Sequence, residues 1–140
     1  MKQIFINLPV RDVQKSMNFY AQLGFSNKTL FSDDEQKCMV WSEQIYVMLM
    51  SNDLFQKYSK KSIPDIKQQV AASFSLPVKS LNQVHEMIDA GLKAGGTEPF
   101  PMIDEGFMQV RKIVDLDGHT WDFMYLDMTK FENQKINLED

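Results

Sequence analysis

Leu8-Pro9-Val10-Arg11-Asp12 returns 68 residues later as Leu76-Pro77-Val78-Lys79-Ser80. In both copies an apolar stretch runs into a proline, which has no amide to give a sheet ladder and therefore belongs at a strand end or on an edge. In both copies the fifth residue carries a short oxygen-bearing side chain, suited to accept from the free amides at the start of a helix. The pentapeptide marks a strand-to-helix junction. Its repetition raises the question of whether the flanking sequence repeats too.

It does. Upstream, Ile4, Ile6, Leu8 and Val10 alternate with Gln3, Phe5, Asn7 and Pro9, the two-residue period of a strand with one face on a core. Downstream of Asp12, a helix buries Val13, Met17, Tyr20 and Leu23, presents Gln14, Lys15 and Asn18 to water, and stops at Gly24. Three short strands are predicted at 25–31, 36–42 and 44–50, then a helix at 54–58. A polar linker with Ile63-Pro64-Asp65 spans 59–69. The second half opens with a strand at 71–78. Ser80 and Gln83 make a capping pair, and Leu81, Val84, Ile88 and Leu92 form a helical stripe ending at Gly95-Gly96. Strands follow at 97–102, 107–115 and 120–126, with Asp117-Gly118 as the turn before the last. The expected architecture is α+β, with two β-α-β-β-β modules (1–58 and 70–127) forming one eight-stranded curved sheet in a single domain, 1–127. Each module offers one sheet face to its helix and needs a cover for the other, which pairing the halves supplies. Residues 128–140 read as a loose polar tail, or a strap on a neighbouring subunit.

At 140 residues the chain can bury a core without staples, and 44% hydrophobic with 24% charged residues is an ordinary globular balance. A net charge of -4 argues against nucleic acid as the main partner, since such a partner wants a basic face. Cys38 is the single cysteine and has no internal disulfide partner; no export-type apolar stretch follows Met1. A cytoplasmic setting is expected. Apolar runs such as 45–50 fall far short of the ~20 residues a bilayer span needs, so no membrane partner is expected.

Leu8-Pro9-Val10-Arg11-Asp12 with Ser16 and Phe19-Tyr20, then Leu23-Gly24-Phe25, and finally Asp115-Leu116-Asp117-Gly118-His119-Thr120-Trp121-Asp122, together resemble the vicinal oxygen chelate superfamily. That group includes lactoylglutathione lyase, extradiol dioxygenases and bleomycin-resistance binding proteins. The resemblance covers about residues 2–127. It implies an eight-stranded cup of two modules, often completed in a homodimer, with a ligand chamber on the concave side. It also implies, in the metal-using members, His or Glu ligands from the first and last strands of each module around one divalent ion.

Carried over position by position, those ligands fall on Phe5, near Met48, on Ser73 and on Asp122. A phenyl ring has no lone pair for a metal, a thioether is too soft for Mg²⁺ or Mn²⁺, and a serine hydroxyl is a weak ligand. Only Asp122 suits, and one carboxylate does not hold a catalytic ion. No metal or other cofactor is therefore expected.

Alternation turns Phe5, Asn7, Tyr46, Met48, Met50, Ser73, Ser75, Asp122 and Met124 into the cup, an apolar lining with a few polar anchors. Arg111 adds a candidate positive anchor. The strand methionines, Met39, Met48, Met50, Met102, Met108 and Met124, either line an adaptable chamber or pack the core. His119 reads as a turn residue bonding its own backbone, His85 as a partly solvated helix residue, and Cys38 as a small apolar side chain. The leading expectation is a metal-independent binder of a small, partly apolar molecule. The alternatives are a lyase or isomerase similar to lactoylglutathione lyase, using a divalent metal such as Zn, Ni or Mn, and a dimeric structural or interaction module with a filled cup.

Overall fold

The computed structural model describes residues 1–139, and side chains as far as residue 134. Its elements are β1 (Ile4–Val10), α1 (Val13–Gln22), β2 (Ser26–Asn27), a 3-10 turn (Thr29–Phe31), β3 (Gln36–Val40), β4 (Ile45–Ser51) and α2 (Asn52–Ser59). The second half repeats the order with β5 (Ser73–Pro77), α3 (Leu81–Lys93), β6 (Ile103–Asp104), β7 (Met108–Val114) and β8 (Thr120–Leu126), and α4 (Met128–Glu139) follows. Both junctions form as their caps dictate. Asp12 accepts the Lys15 amide at 3.0 Å, Ser80 accepts the Gln83 amide at 3.1 Å, and Gln83 returns a bond to the Lys79 amide. Gly24 closes α1 at φ +96, a conformation open to a residue without Cβ.

The two modules have the same strand order, β1-β4-β3-β2 and β5-β8-β7-β6. In each, the first strand lies parallel to the last and the remaining pairs are antiparallel. The eight strands make two four-stranded sheets rather than one continuous sheet. β1 and β5 are edge strands, and each carries its proline there, where a missing amide leaves no gap in a ladder.

Three expected elements come out differently. The strand predicted over 25–31 shrinks to β2 because Ser32 Oγ takes the Cys38 amide and donates to the Lys28 carbonyl, replacing ladder bonds with a side-chain-built turn. The strand predicted over 97–102 reduces to one bridge between Thr97 and Val114, since Pro99 and Pro101 cannot donate; β6 starts only at Ile103. The tail is helical over 128–139 instead of loose: Asp127 caps it by accepting the Lys130 amide, and Phe131 packs against Phe107 with ring centroids 5.1 Å apart. Asp140 lies outside the described residues. Among the described residues no helix is long and apolar enough to cross a membrane.

The modules share one core through their helix-side faces. Leu8, Val10, Phe19, Tyr20, Met39 and Leu49 from the first meet Leu76, Ile88, Ile113, Trp121 and Phe123 from the second. Trp121 stands edge-on to both Tyr20 and Phe25, and Phe123 packs on Trp41. Burying each such side chain contributes about 1.5–3 kcal/mol. A polar seam crosses this core. The Tyr20 hydroxyl donates to Asp115 at 2.5 Å and accepts from the Trp121 indole at 2.8 Å, while the other Asp115 oxygen takes the amides of Asp117, Gly118 and His119. His119 does not bond its own turn through its ring. Asp115 already satisfies those amides, and the His119 Nε2–H reaches across to the Pro9 carbonyl at 2.8 Å. With both helix-side faces joined in this way, the opposite face of each sheet lies outside this shared core.

Candidate functional site

Alternation along β1 sends Leu8 and Val10 into the core and turns Phe5 and Asn7 to the other face. The register continues that face across the sheet, with Phe5 beside Tyr46 and Asn7 beside Met48, itself beside Cys38. Cys38, Tyr46 and Met48 form a small apolar cluster separate from the main core, flanked by Val40 and Met50. Met39, one residue out of phase, belongs to the main core. Burial pushes the Cys38 thiol up from its ordinary value, against a weaker opposing pull from the Lys28 ammonium, so this thiol stays protonated and unreactive at neutral pH.

Phe5 and Tyr46 are stacked, centroids 4.5 Å apart and ring planes within 10°. Phe5 remains 44% exposed and Tyr46 only 7%, so the stack presents Phe5 outward. Phe5, Asn7, Phe31, Gln36 and Met48 line a hollow of about 620 Å³. A neighbouring hollow of about 710 Å³ shares Asn7 and Gln36 and is walled by Met50, Phe55 and Tyr58. Lys28 lies beside the first: its Nζ is 5.0 Å from the ring centre of Phe31, which lines that hollow, and 5.8 Å from that of Tyr46. Lys28, Phe31 and Gln36 were not foreseen as site residues. Nothing in the local pattern marks them, because the turn that carries Lys28 and Phe31 replaces an expected strand.

On the second sheet the same face carries Ser73, Ser75, Asp122 and Met124. Phe74, Leu76, Trp121 and Phe123 point the other way into the core. Ser75 and Asp122 are register partners, as Asn7 and Met48 are in the first module. Asp122 is buried, with one oxygen accepting from Ser75 Oγ at 2.9 Å and the other 2.6 Å from Lys112 Nζ. Ser73 pairs with Thr120 at the strand start and is exposed; Met124 lies half-buried between Pro77 and Val110. Lys112 is the cation of this face, with Phe100 beneath its ammonium at 5.8 Å.

Arg111 is not a cup residue. It shares the helix-side face with Ile113, and its guanidinium is committed to Glu98 through two 2.8 Å bonds, to Asp89 at 3.3 Å and to His85 Nδ1 at 2.9 Å. The bonds from Arg111 hold the Glu98 carboxyl below its usual value, and those from Glu98 raise Arg111 further. The register decides this: Lys112, opposite Asp122, takes the inward place.

The divalent ion that the resemblance implies does not fit these residues. Phe5, Met48 and Ser73 offer no strong donor, and both oxygens of Asp122 are engaged by Lys112 and Ser75. Among the described residues no group of three His, Cys, Asp or Glu side chains elsewhere is placed to hold a metal ion. The hollow beside Phe5 is lined by first-module residues alone, so within one chain the two sheet faces do not enclose a common chamber there. A separate cleft of about 420 Å³ lies under the linker, between Phe55, Ile63, Ile66, Phe74 and His119; no charged side chain but that of Lys61 reaches its wall.

Comparison of the fold with solved structures is decisive on architecture. A glyoxalase/bleomycin resistance protein/dioxygenase family enzyme from Burkholderia phytofirmans PsJN superposes with a TM-score of 0.75 at 12% identity, over 90% of this chain and 99% of that one. The chain has the glyoxalase-like fold. A glyoxalase-related enzyme from Fulvimarina pelagi shares it at a TM-score of 0.74 and 17% identity, over 89% of this chain and 88% of that one. So does the hypothetical protein SA1046 from S. aureus, at a TM-score of 0.76 and 26% identity over 89% and 94% of the two chains. No protein-family model and no curated protein sequence matches the chain. Within the glyoxalase-like fold, the two modules here keep the strand order while the inward positions carry an aromatic stack in one and a Lys–Asp–Ser cluster in the other.

Proposed function

We propose that this protein binds a small, partly apolar molecule in the first-module hollow and does so without a divalent ion. The observation that carries the reading is the Phe5–Tyr46 stack. It is a rigid aromatic floor, open on one side, with Met48 beside it and the Asn7 and Gln36 amides at hand. Apolar walls with a few fixed polar groups are the usual make-up of a small-molecule site, and methionine adapts to ligand shape. A thermal-shift screen of aromatic and aliphatic compounds in chelator-treated buffer tests it. Saturable stabilisation that Phe5→Ala abolishes supports the reading, and stabilisation by divalent ions alone contradicts it.

A homodimer goes with this reading. Leu30 and Phe31 are exposed near the first hollow, and Phe100 and Ile103 on the second module. A second copy laying its second module over the first-module face covers these side chains and brings Ser75, Lys112 and Asp122 towards the chamber. Sedimentation analysis at micromolar concentration gives a dimer if this is right and a monomer if it is not.

A further inference from the structure

We infer that the ligand of the first-module hollow is a planar aromatic anion, an aromatic carboxylate or a group of similar charge and shape. The inference rests on the proposed binding function and specifies its ligand class. Two features of the hollow point the same way.

The first is the cation. Lys28 is half-buried, and its ammonium stands over two aromatic rings, Phe31 and Tyr46. Among the described residues no carboxylate lies within 4.0 Å of it, and it is the one such unpaired cation that also stands over aromatic rings, since Lys112, over Phe100, is paired with Asp122. Its backbone is fixed on both sides, the amide donating to the Cys38 carbonyl at 2.8 Å and the carbonyl accepting from Ser32 Oγ at 2.8 Å. The turn fixes where the Lys28 side chain starts and the two rings draw its ammonium to the border of the hollow, where it has no carboxylate partner and a ligand anion supplies one. Asp33, the one charged residue in the lining itself, has one carboxylate oxygen drawn into its own turn, where it takes the amides of Glu35 and Gln36 at 2.8 and 3.1 Å.

The second is the ring surface. Phe5 is locked by stacking on one side and exposed on the other, and Phe31, 45% exposed, adds another ring. A planar aromatic body stacks on such rings in offset or edge-on geometry. The Lys28 ammonium is 5.0 Å from the Phe31 ring centre and 5.8 Å from that of Tyr46, the ring stacked on Phe5, so an anionic substituent on a planar body lying on Phe5 has the ammonium nearby. A cationic aromatic compound meets the same rings but is repelled by Lys28.

Calorimetric titration of the full chain with 2-naphthoate, 2-naphthamide and 2-naphthylmethylamine tests this, using the wild type, Lys28→Met, Lys28→Arg and Phe5→Ala. The expected order is naphthoate over naphthamide by about fivefold, the scale of a partly exposed ion pair, with the amine weakest. Lys28→Met removes that difference and Lys28→Arg keeps it. Equal binding of naphthoate and naphthamide, with both weakened in Phe5→Ala, overturns the anion assignment while leaving the aromatic site standing. Binding of none of the three at millimolar concentration overturns the site and the assignment together.

Discussion

Lys112 Nζ lies 2.6 Å from Asp122 Oδ1 across a β7–β8 register pair. The one carboxylate that matches an inward ligand position of the fold is thereby neutralised by a side chain of the protein itself. Both groups are mostly buried, and Asp122 keeps a second bond from Ser75. Lys112→Met strands a buried carboxylate and is expected to destabilise the protein by roughly 1.5–3 kcal/mol. Asp122→Asn costs less than about 1 kcal/mol, because the freed ammonium can swing to water on its flexible stem. Urea denaturation measures both, and equal effects would show that Asp122 is not a buried carboxylate dependent on Lys112. Adding Zn²⁺, Ni²⁺ or Mn²⁺ to the wild type is expected to leave the melting temperature unchanged.

The Tyr20 hydroxyl makes stability depend on alkaline pH. Burial, reinforced by the Asp115 carboxylate beside it, pushes this phenol well above its ordinary value of 10.0. Below about pH 10 both folded and unfolded chains hold the proton, and the contribution is complete. Above it the unfolded chain releases the proton first, so stability is lost as pH climbs towards the raised folded value. Tyr20→Phe lowers stability at pH 7 by about 1–2 kcal/mol by leaving polar partners unpaired, but flattens the decline above pH 10. Tyr58→Phe, at a residue 71% exposed, leaves the decline as it was. Urea midpoints between pH 8 and 11 read out both variants.

Gly118 ties the linker to the second module. It sits at φ +114, and a Cβ there falls 2.7 Å from the Ile66 carbonyl oxygen. Gly118→Ala combines backbone strain with a clash that no side-chain rotation relieves, for an expected loss of about 2–3 kcal/mol. The loss should come with faster proteolytic cleavage in residues 59–69. Cleavage there at the wild-type rate would show that the linker does not depend on this contact.

The junctions were legible in the sequence because their determinants are local: a two-residue period, a proline, and a capping oxygen three residues from its amide. Asp12 and Ser80 cap as read, and the repeated module order follows. What was not legible depended on partners distant in the chain. Arg111 and Lys112 are neighbours with similar chemistry, and only pairing with β8 assigns Lys112 to the inward face. Ser32 converts a strand into a turn by bonding Lys28 and Cys38 at once, which no propensity announces. Asp117-Gly118 before it makes His119 look like a turn residue, yet its ring partner, Pro9, is 110 residues away.

On the proposed reading, the face bearing Phe5, Tyr46 and Met48 takes its ligand without a metal. Methionine methyl NMR of the full chain in chelator-treated buffer, titrated with 2-naphthoate, tests it most directly. Saturable shifts of the Met48 and Met50 methyls are expected, with Met39, buried in the other core, unmoved. An unmoved Met48, or shifts that appear only once a divalent ion is added, would contradict it.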